Sequence, residues 1–370
     1  MLFRSGHVQG FADLMVEDTV TNERFRFDHL PEENQQSMTS PKGNPLSEPR
    51  KFNLMFQTNM GSVQDDSSVV YLRPETAQGI YVNFKNVVQT SRVKVPFGVA
   101  QVGKAFRNEI VTKNFIFRTC EFEQMEMQYF VYPEEDEKWF EFWKAERIAY
   151  YEKMGIRKDK LRFKEHGPDE LAHYAKAAFD IEFEFPFGWQ ELEGIHNRTD
   201  FDLGRHAEYS GKEQSYLDDS RGGERYVPYI IETSAGLTRS VLMALSDAYE
   251  TEEVGENDTR TVLRFHPRIA PVTVGIFPLV KKDGLAEKAR ELDHTLREHF
   301  TTFYDQGGAI GRRYRRQDEI GTPFCLTVDY DTMEDDTVTL RYRDSMEQVR
   351  VPIAELVGHI SQAIADYTRP

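Results

Sequence analysis

The stretch that decides the fold of this chain reads Phe106-Arg-Asn-Glu109, then a short loop, then Arg118-Thr-Cys-Glu-Phe122-Glu-Gln-Met-Glu126. Strand-like runs flank it on both sides, so we predict two antiparallel strands joined by a charged loop. Side chains two apart on a strand share a face, which would place these residues on one side of the hairpin: Arg107, Glu109, Arg118 and Phe122. One face would then carry two guanidinium groups, a carboxylate and an aromatic ring.

A second informative segment, Glu232-Thr-Ser-Ala-Gly236-Leu-Thr-Arg239, lies between an apolar strand pattern and an apolar helix pattern. Arg239 follows a glycine at this junction, where the positive end of the helix dipole favours phosphate. The planar fork of an arginine grips phosphate and carboxylate with paired hydrogen bonds. A single Arg–Glu pair is commonly an ordinary surface pair. The whole set predicts a site for ATP and an ammonium-bearing substrate, the combination needed to activate an amino acid.

The composition narrows the class of protein. The 370 residues include 46 Lys and Arg against 62 Asp and Glu, a net charge of −16. That balance argues against non-specific nucleic-acid binding by the whole chain but allows a local basic face. The two cysteines, Cys120 and Cys325, form no Cys-x-x-Cys pair, and a reducing cytoplasm is the simplest compartment. No window approaches the roughly 20 apolar residues of a membrane helix, so we expect no membrane association.

The order of patterns predicts two domains, residues 1–258 and 262–370. The first alternates strand-like runs with loops and carries a helical insertion at about 134–179, and the second alternates strands and helices as α/β domains do. We also predict strands at Ala309–Arg316, Phe324–Val328 and Thr337–Tyr342. A broad apolar stripe predicts a buried helix, with its buried face formed by Val241, Leu242, Ala244, Leu245, Ala248 and Tyr249.

The two charged segments resemble motifs 2 and 3 of class II aminoacyl-tRNA synthetases. More narrowly, the dimeric type of glycyl-tRNA synthetase is resembled by Ser5-Gly-His-Val-Gln-Gly-Phe-Ala-Asp13, Arg73-Pro-Glu-Thr-Ala-Gln-Gly79, Phe117-Arg-Thr-Cys-Glu-Phe-Glu-Gln-Met-Glu126 and Glu191-Leu-Glu-Gly-Ile-His-Asn-Arg-Thr-Asp-Phe-Asp-Leu203. The likeness runs from about residue 5 to the end. It implies an α+β fold, in which a class II antiparallel sheet flanked by helices is joined to a smaller α/β anticodon-binding domain.

The resemblance implies a role for each matching residue of the ATP site. Arg107 would hold the α-phosphate and, with Arg239, act in catalysis. Glu109 would bind the adenine amino group. Phe122 would stack on adenine with Arg239 on its other face, and Arg118 would contact the γ-phosphate.

The resemblance also implies the cofactors and the glycine pocket. Glu191 would bind Mg²⁺, and the further ATP contacts would be Asn108, Phe117, Leu192 and Gly236. The glycine pocket would be lined by Glu75, Glu126, Glu232 and Ser234, with Arg26, Phe122 and Gly236 also at the substrate. Several carboxylates suit an ammonium group, and bulk excludes larger side chains, so no editing domain is required. The segment Val16–Arg26 lacks the cysteines that some relatives have there, so we predict no structural zinc.

The run Gly311-Arg-Arg-Tyr-Arg-Arg316 resembles part of the anticodon-binding domain of class IIa synthetases. Its arginines would supply the phosphate contacts that tRNA binding requires: Arg312, Arg313, Arg315 and Arg316. The alternative is a solvated charge run on a strand.

The function that these expectations imply is glycine–tRNA ligation, in which glycine and ATP give glycyl-adenylate and the glycyl group passes to the 3′ end of tRNA(Gly). Two alternatives stay open, a non-catalytic nucleic-acid-binding relative and an amino-terminally truncated, inactive synthetase. The intact arginines of the ATP site argue against the first. Motif 1, which forms the dimer interface in class II enzymes, would lie upstream of residue 1, so a homodimer is expected once that segment is present.

Overall fold

The computed structural model describes residues 6–168, 170–172, 174–256 and 258–369, without the side chain of Gln9. The chain divides into two compact units. Unit 1 comprises residues 1–147 and 161–242, and unit 2 comprises residues 148–160 and 243–370. The domain boundaries expected from the sequence, 1–258 and 262–370, remain a prediction.

Unit 1 is built on antiparallel strands. Its strands are β1 Ala12–Glu17, β2 Arg24–Arg26, β3 Arg50–Asn53, β4 Gln57–Asn59, β5 Val69–Tyr71, β6 Phe97–Phe106, β7 Glu121–Val131, β8 Leu161–Glu165, β9 Ala177–Phe185, β10 Gly188–Thr199, β11 Tyr216–Asp218, β12 Glu224–Tyr226 and β13 Tyr229–Gly236. Six of them form the main sheet in the order β6-β7-β13-β10-β9-β8, with every neighbouring pair antiparallel. This is the antiparallel sheet that the resemblance implied.

The hairpin predicted around residues 106–126 is present as β6 and β7, with Ala105 opposite Phe122. The predicted position of its charges on the strands is wrong, because β6 ends at Phe106 and β7 begins at Glu121. Arg107, Glu109 and Arg118 therefore lie in the connecting loop. The Arg107 N–H closes the loop by donating to the carbonyl oxygen of Cys120 at 2.9 Å.

Helices precede, separate and follow these strands along the chain. They are α1 His7–Gly10, α2 Glu32–Ser37, α3 Ala77–Val82, α4 Phe84–Ser91, α5 Asp136–Lys153, α6 Phe201–Ser210 and α7 Leu237–Ala248. The helical insertion expected at 134–179 is wrong beyond Lys153, because β8 and the first residues of β9 join the sheet there. Strand β8 is short, and only Leu161 of its five residues is buried.

The buried face predicted for α7 is wrong in part. Val241, Leu245 and Tyr249 are 48%, 36% and 58% exposed, and Met243, which the prediction omitted, is buried, whereas Ala248 is buried as predicted. Polar groups share the buried face with them: Ser240 Oγ donates to the Gly236 carbonyl at 2.8 Å, and Asp247 accepts from Arg157 Nε at 2.9 Å. A pattern of apolar residues alone cannot locate a face that is partly polar.

Unit 2 contains a mixed α/β sheet, as predicted for the second domain. Its strands are β14 Tyr249–Gly255, β15 Asp258–Leu263, β16 Val274–Pro278, β17 Thr302–Tyr304, β18 Phe324–Val328, β19 Thr337–Tyr342 and β20 Gln348–Pro352. The sheet order is β17-β16-β18-β19-β20, in which β16 runs parallel to both β17 and β18. The helices are α8 Leu285–Leu296, α9 Ile310–Ile320, α10 Tyr330–Asp335 and α11 Leu356–Ala365.

The strand predicted at Ala309–Arg316 is wrong, because this segment begins α9. Arg, Gln and Glu are good helix formers, and Gly321 ends the helix with a φ of 89° in the left-handed region. Strands β18 and β19 match the sequence prediction at both ends. None of the described helices is both long and apolar enough to span a bilayer.

Candidate active site

The register of three central strands places the polar residues of the site side by side. Ser234 of β13 lies opposite Glu126 of β7 on one side and opposite Gly194 of β10 on the other. Two residues along the same strand, Glu232 lies between Gln128 and His196. Neighbouring strands lie about 4.8 Å apart, so each row brings its polar groups within reach of one small ligand.

Glu126 is buried and accepts hydrogen bonds on both carboxylate oxygens. Oε2 accepts from the backbone N–H of Thr76 at 2.8 Å and from the Thr76 hydroxyl. Oε1 accepts from Gln124 Nε2 at 2.9 Å and from Ser234 Oγ at 3.0 Å. The carboxylate thereby ties the loop before α3 to the floor of the sheet.

Glu232 is the carboxylate most strongly tied to a cation. Its Oε2 accepts from Arg198 Nη1 at 2.9 Å and from Gln128 Nε2 at 2.6 Å, while His196 Nδ1 lies 3.1 Å from Oε1. Arg198 also donates to both oxygens of Asp202, at 2.8 and 3.1 Å. One buried guanidinium thus compensates two buried carboxylates.

Glu75 completes the group of carboxylates from the loop before α3. Its Oε1 accepts from Gln78 Nε2 at 3.2 Å and lies 3.2 Å from His7 Nε2. Burial alone would raise the pKa of Glu75, but hydrogen bonding by His7 and the charge of Arg198 outweigh it and hold that pKa well below its usual range.

Three buried carboxylates in one cavity cannot all be charged at low cost. Burial, together with the charges of Glu232 and Glu75, raises the pKa of Glu126 to about 8. Burial opposes the charged form of Glu232 as well, but Arg198 and His196 outweigh it and lower its pKa. Without a ligand, the trio therefore binds a proton near neutral pH. The arrangement attracts a compact cation such as an ammonium group.

The opposite side of the cavity is cationic. The guanidinium carbon of Arg107 lies 5.4 Å from the centroids of both the Phe11 and Phe122 rings, and Nε donates to the Pro74 carbonyl at 3.1 Å. Arg239 lies 4.2 Å from the Phe117 ring centroid and donates to the Glu191 carbonyl at 2.8 Å. Burial and the nearby charges of Arg107 and Arg118 lower the pKa of Arg239, so this region favours polyphosphate.

Glu191 fits the role of a partial Mg²⁺ ligand. Its side chain is 55% exposed, and Oε2 lies 3.6 Å from Arg239 Nη1. Across the residues that the structure describes, no group of three or more His, Cys, Asp or Glu side chains is arranged to hold a metal. Magnesium is commonly held by one or two carboxylates together with substrate phosphates, which suits Glu191 beside a nucleotide.

Most residues expected at the site line a single cavity: Glu75, Arg107, Glu109, Phe117, Arg118, Phe122, Glu126, Glu191, Glu232, Ser234, Gly236 and Arg239. Three expected residues do not line it. Arg26 forms ion pairs with Asp13 and Asp28, Leu192 is buried, and the Asn108 N–H donates to the Leu54 carbonyl at 2.8 Å.

The cavity is also lined by residues that the sequence reasoning did not select: Thr119, Gln124, Tyr174, Gly194, His196 and Thr238. Gln124 shares strand parity with Phe122 and Glu126, so the period of two could have found it. His196 and Gly194 share a face of β10, and a Cβ at Gly194 would lie 2.7 Å from His196 Cε1. That glycine makes room for the imidazole.

The predicted basic run lies on α9, where its arginines have different environments. Arg313 is 3% exposed and donates to the Pro278 carbonyl at 2.6 Å, so it is a structural residue and is not accessible to tRNA. Arg316 pairs with Asp305 and Arg315 pairs with Asp258 at 2.6 Å. Arg312 is exposed.

Fold and site together define a class II aminoacyl-tRNA synthetase. Residues 56–248 match the protein family described as "tRNA synthetase class II core domain (G, H, P, S and T)". Residues 273–363 match the family described as "Anticodon binding domain". A solved prolyl-tRNA synthetase from Cryptosporidium parvum, complexed with L-proline and AMP, is similar in fold, with a TM-score of 0.63 at 18% identity. The similarity covers 84% of this chain and 64% of that one.

Curated relatives give the particular family. The chain is 63% identical to the glycine–tRNA ligase of Treponema denticola over 370 residues, which is 99% of this chain and 82% of the relative. It is 57% identical to that of Borrelia hermsii over 98% of this chain and 82% of the relative. The glycine–tRNA ligase of Treponema pallidum (strain Nichols) is 55% identical over 99% of this chain and 84% of the relative. The chain belongs to the glycine–tRNA ligase family.

Proposed function

We propose that this chain activates glycine with ATP to glycyl-adenylate and transfers the glycyl group to the 3′ end of tRNA(Gly). The observation that carries the proposal is that three arginines, Arg107, Arg118 and Arg239, line the same cavity as the carboxylates Glu75, Glu126 and Glu232. Family membership favours this catalytic function over the non-catalytic, nucleic-acid-binding alternative.

The reaction needs positioning more than proton transfer, because the glycine carboxylate attacks the α-phosphate of ATP without losing a proton. Arg107 contacts two rings and a carbonyl oxygen, which supports the proposal that its guanidinium stabilises charge on the α-phosphate. Arg239 and Arg118 are proposed to hold the γ-phosphate, and Glu109 the adenine amino group. The ring of Phe122 is proposed to stack on the adenine base.

The glycine ammonium is proposed to lie among Glu75, Glu126 and Glu232, with Ser234 beside it. These groups are buried or nearly so, and Glu126 and Glu232 are fixed by hydrogen bonds from neighbouring strands and from the loop before α3. A Cβ on the substrate would have to displace one of these fixed groups. Rejection of larger amino acids by steric exclusion then follows without a second, editing site.

The remaining parts of the function are proposals that rest on the family. Mg²⁺ is proposed to bind beside Glu191 and, when bound, neutralises phosphate charge. The anticodon-binding domain is proposed to contact tRNA through exposed arginines of α9. We further propose a cytoplasmic homodimer, in keeping with the dimeric type of synthetase that the sequence resembles.

The test is glycine-dependent exchange of pyrophosphate into ATP, with alanine and serine as controls. Exchange with glycine alone is the expected result. Exchange that is absent, or equal with alanine, would refute the proposed glycine site. Light scattering on the same sample tests the dimer separately.

A further inference from the structure

A single helical turn contacts both halves of the proposed active site. In α1, the Phe11 N–H closes the turn by donating to the His7 carbonyl at 2.9 Å. His7 Nε2 lies 3.2 Å from Glu75 Oε1, and the Phe11 ring centroid lies 5.4 Å from the guanidinium carbon of Arg107. Side chains four apart on a helical turn lie on one face, which is why one turn reaches both groups.

The turn is held in place by its own backbone. The Phe11 carbonyl accepts from the Leu54 N–H at 3.1 Å, and the Val8 carbonyl accepts from Asn53 Nδ2 at 3.4 Å. The His7 and Phe11 rings lie 5.9 Å apart, centroid to centroid. His7 is therefore presented to Glu75 from a fixed support.

The contacts of the three carboxylates differ in a way that singles out Glu75. Glu126 accepts hydrogen bonds on both oxygens, and Glu232 has Arg198 and Gln128 on Oε2 with His196 beside Oε1. Both partners of Glu75, His7 and Gln78, lie at Oε1. Within the described part of the chain, no hydrogen bond reaches Glu75 Oε2. That oxygen is the one left for a ligand.

We propose that His7 is a positioning residue of the glycine site, which holds Glu75 by Oε1 so that Oε2 faces the substrate ammonium. The inference rests on the proposed function and deepens it. His7 lies outside residues 56–248, which match the synthetase core domain. A second cavity, lined in part by Gly6, His7, Gly10 and Phe11, shares Glu75, Arg107 and Tyr174 with the active-site cavity. The turn therefore lines a cavity that adjoins the active-site cavity through these three shared residues.

Removal of the imidazole should affect glycine more than ATP. In His7→Ala, Glu75 loses a donor and must be ordered by the substrate, so the KM for glycine should rise about tenfold. Arg107 keeps its contacts with Phe11, Phe122 and Pro74, so the KM for ATP should stay within about twofold of that of the unaltered chain. His7→Gln keeps an N–H donor of comparable reach and should recover most of the loss.

The experiment measures both KM values by pyrophosphate exchange for the unaltered chain, His7→Ala, His7→Gln and the exposed control His294→Ala. Glycine-dependent exchange by the unaltered chain tests the proposed function separately. A rise confined to the glycine KM, reversed in His7→Gln, supports the inference. Equal rises in both KM values, or a His7→Gln variant no better than His7→Ala, overturn it. If His7→Ala does not fold, His7→Leu fills the same space without a donor and replaces it in the comparison.

Discussion

Arg198 and Glu232 form an ion pair in the interior of unit 1. Arg198 Nη1 donates to Glu232 Oε2 at 2.9 Å, and the two side chains are only 1% and 3% exposed. Arg198 also lies 3.8 Å from the centroid of the Tyr174 ring, which lines the active-site cavity. This arginine is therefore an internal cation that favours the charged form of Glu232 in the cavity proposed to bind glycine.

Loss of that cation should destabilise the fold. In Arg198→Met, Glu232 and Asp202 would remain buried without compensation, and a broken buried pair costs about 3–5 kcal/mol. We expect the urea midpoint of unfolding to fall accordingly. Arg24→Ala, which removes the exposed pair between Arg24 and Glu17, should change the free energy of unfolding by less than about 1 kcal/mol. Equal effects of the two variants would contradict the importance of the buried pair.

Arg107 should be required for adenylate formation and not for folding. Arg107→Ala removes the group proposed to stabilise the α-phosphate, and we expect kcat/KM for pyrophosphate exchange to fall about 10²–10³-fold. Arg107→Lys keeps the charge but loses the planar fork, so its activity should be intermediate. Circular dichroism and the melting temperature report on the fold. Near-normal exchange by a folded Arg107→Ala variant would remove this residue from the chemistry.

The raised pKa of Glu126 gives a pH dependence with a definite sign. An ammonium group in the pocket favours the ionised carboxylate, so glycine binding should release a proton from the trio. Because the pKa of Glu126 is about 8, the KM for glycine should fall as pH rises from 6 to 8 and level off above it. The fall should approach tenfold per pH unit at the acid end of this range, about the limit for one released proton.

The same shift predicts an effect on stability. The pKa of Glu126 is higher in the folded protein than its ordinary value of 4.5, so its contribution to the free energy of unfolding is full below pH 4.5 and is lost as pH rises through about 8.

The control for the effect on glycine binding is Glu126→Gln, which carries no titrating proton at this position. Its glycine KM should be far less sensitive to pH. A glycine KM that is constant from pH 6 to 8 in the unaltered protein would rule out the proton release.

Local sequence patterns correctly predicted elements that are defined by residues close together in the sequence. Strands β18 and β19 have strong runs of β-forming residues, and the β6–β7 hairpin was correctly expected. The helix α9 was missed, because a short charged run fits a strand or a helix equally well when the glycine that ends it, Gly321, is not considered. The buried face of α7 was misplaced because Ser240 and Asp247 share it.

Cavity-lining residues that belong to a recognised motif were mostly expected from the sequence. Residues that reach the cavity only through the fold were missed. Glu126 and Ser234 are 108 residues apart and meet because β7 pairs with β13. Tyr174 and His196 line the same cavity. Tyr174 lies outside every quoted motif, and His196 lies inside one but is placed beside Glu232 by the pairing of β10 with β13. Arg313 is also buried, and its side chain donates to a carbonyl oxygen 35 residues away in the sequence, a contact that no local pattern shows.

The arginines of α9 should separate into two functional classes. Arg312→Ala/Arg315→Ala/Arg316→Ala removes three charges that lie on or near the surface, so the KM for tRNA should rise about tenfold and its dependence on salt should weaken, by about one in slope for each lost phosphate contact. Pyrophosphate exchange, which needs no tRNA, should be unchanged. The triple Arg→Lys variant keeps the charge and should lie close to the unaltered chain. Unchanged tRNA charging by the triple alanine variant would show that tRNA does not bind this face of α9.

Arg313→Ala should instead destabilise unit 2, because carbonyl oxygens of Pro278 and Leu279 lose their donor.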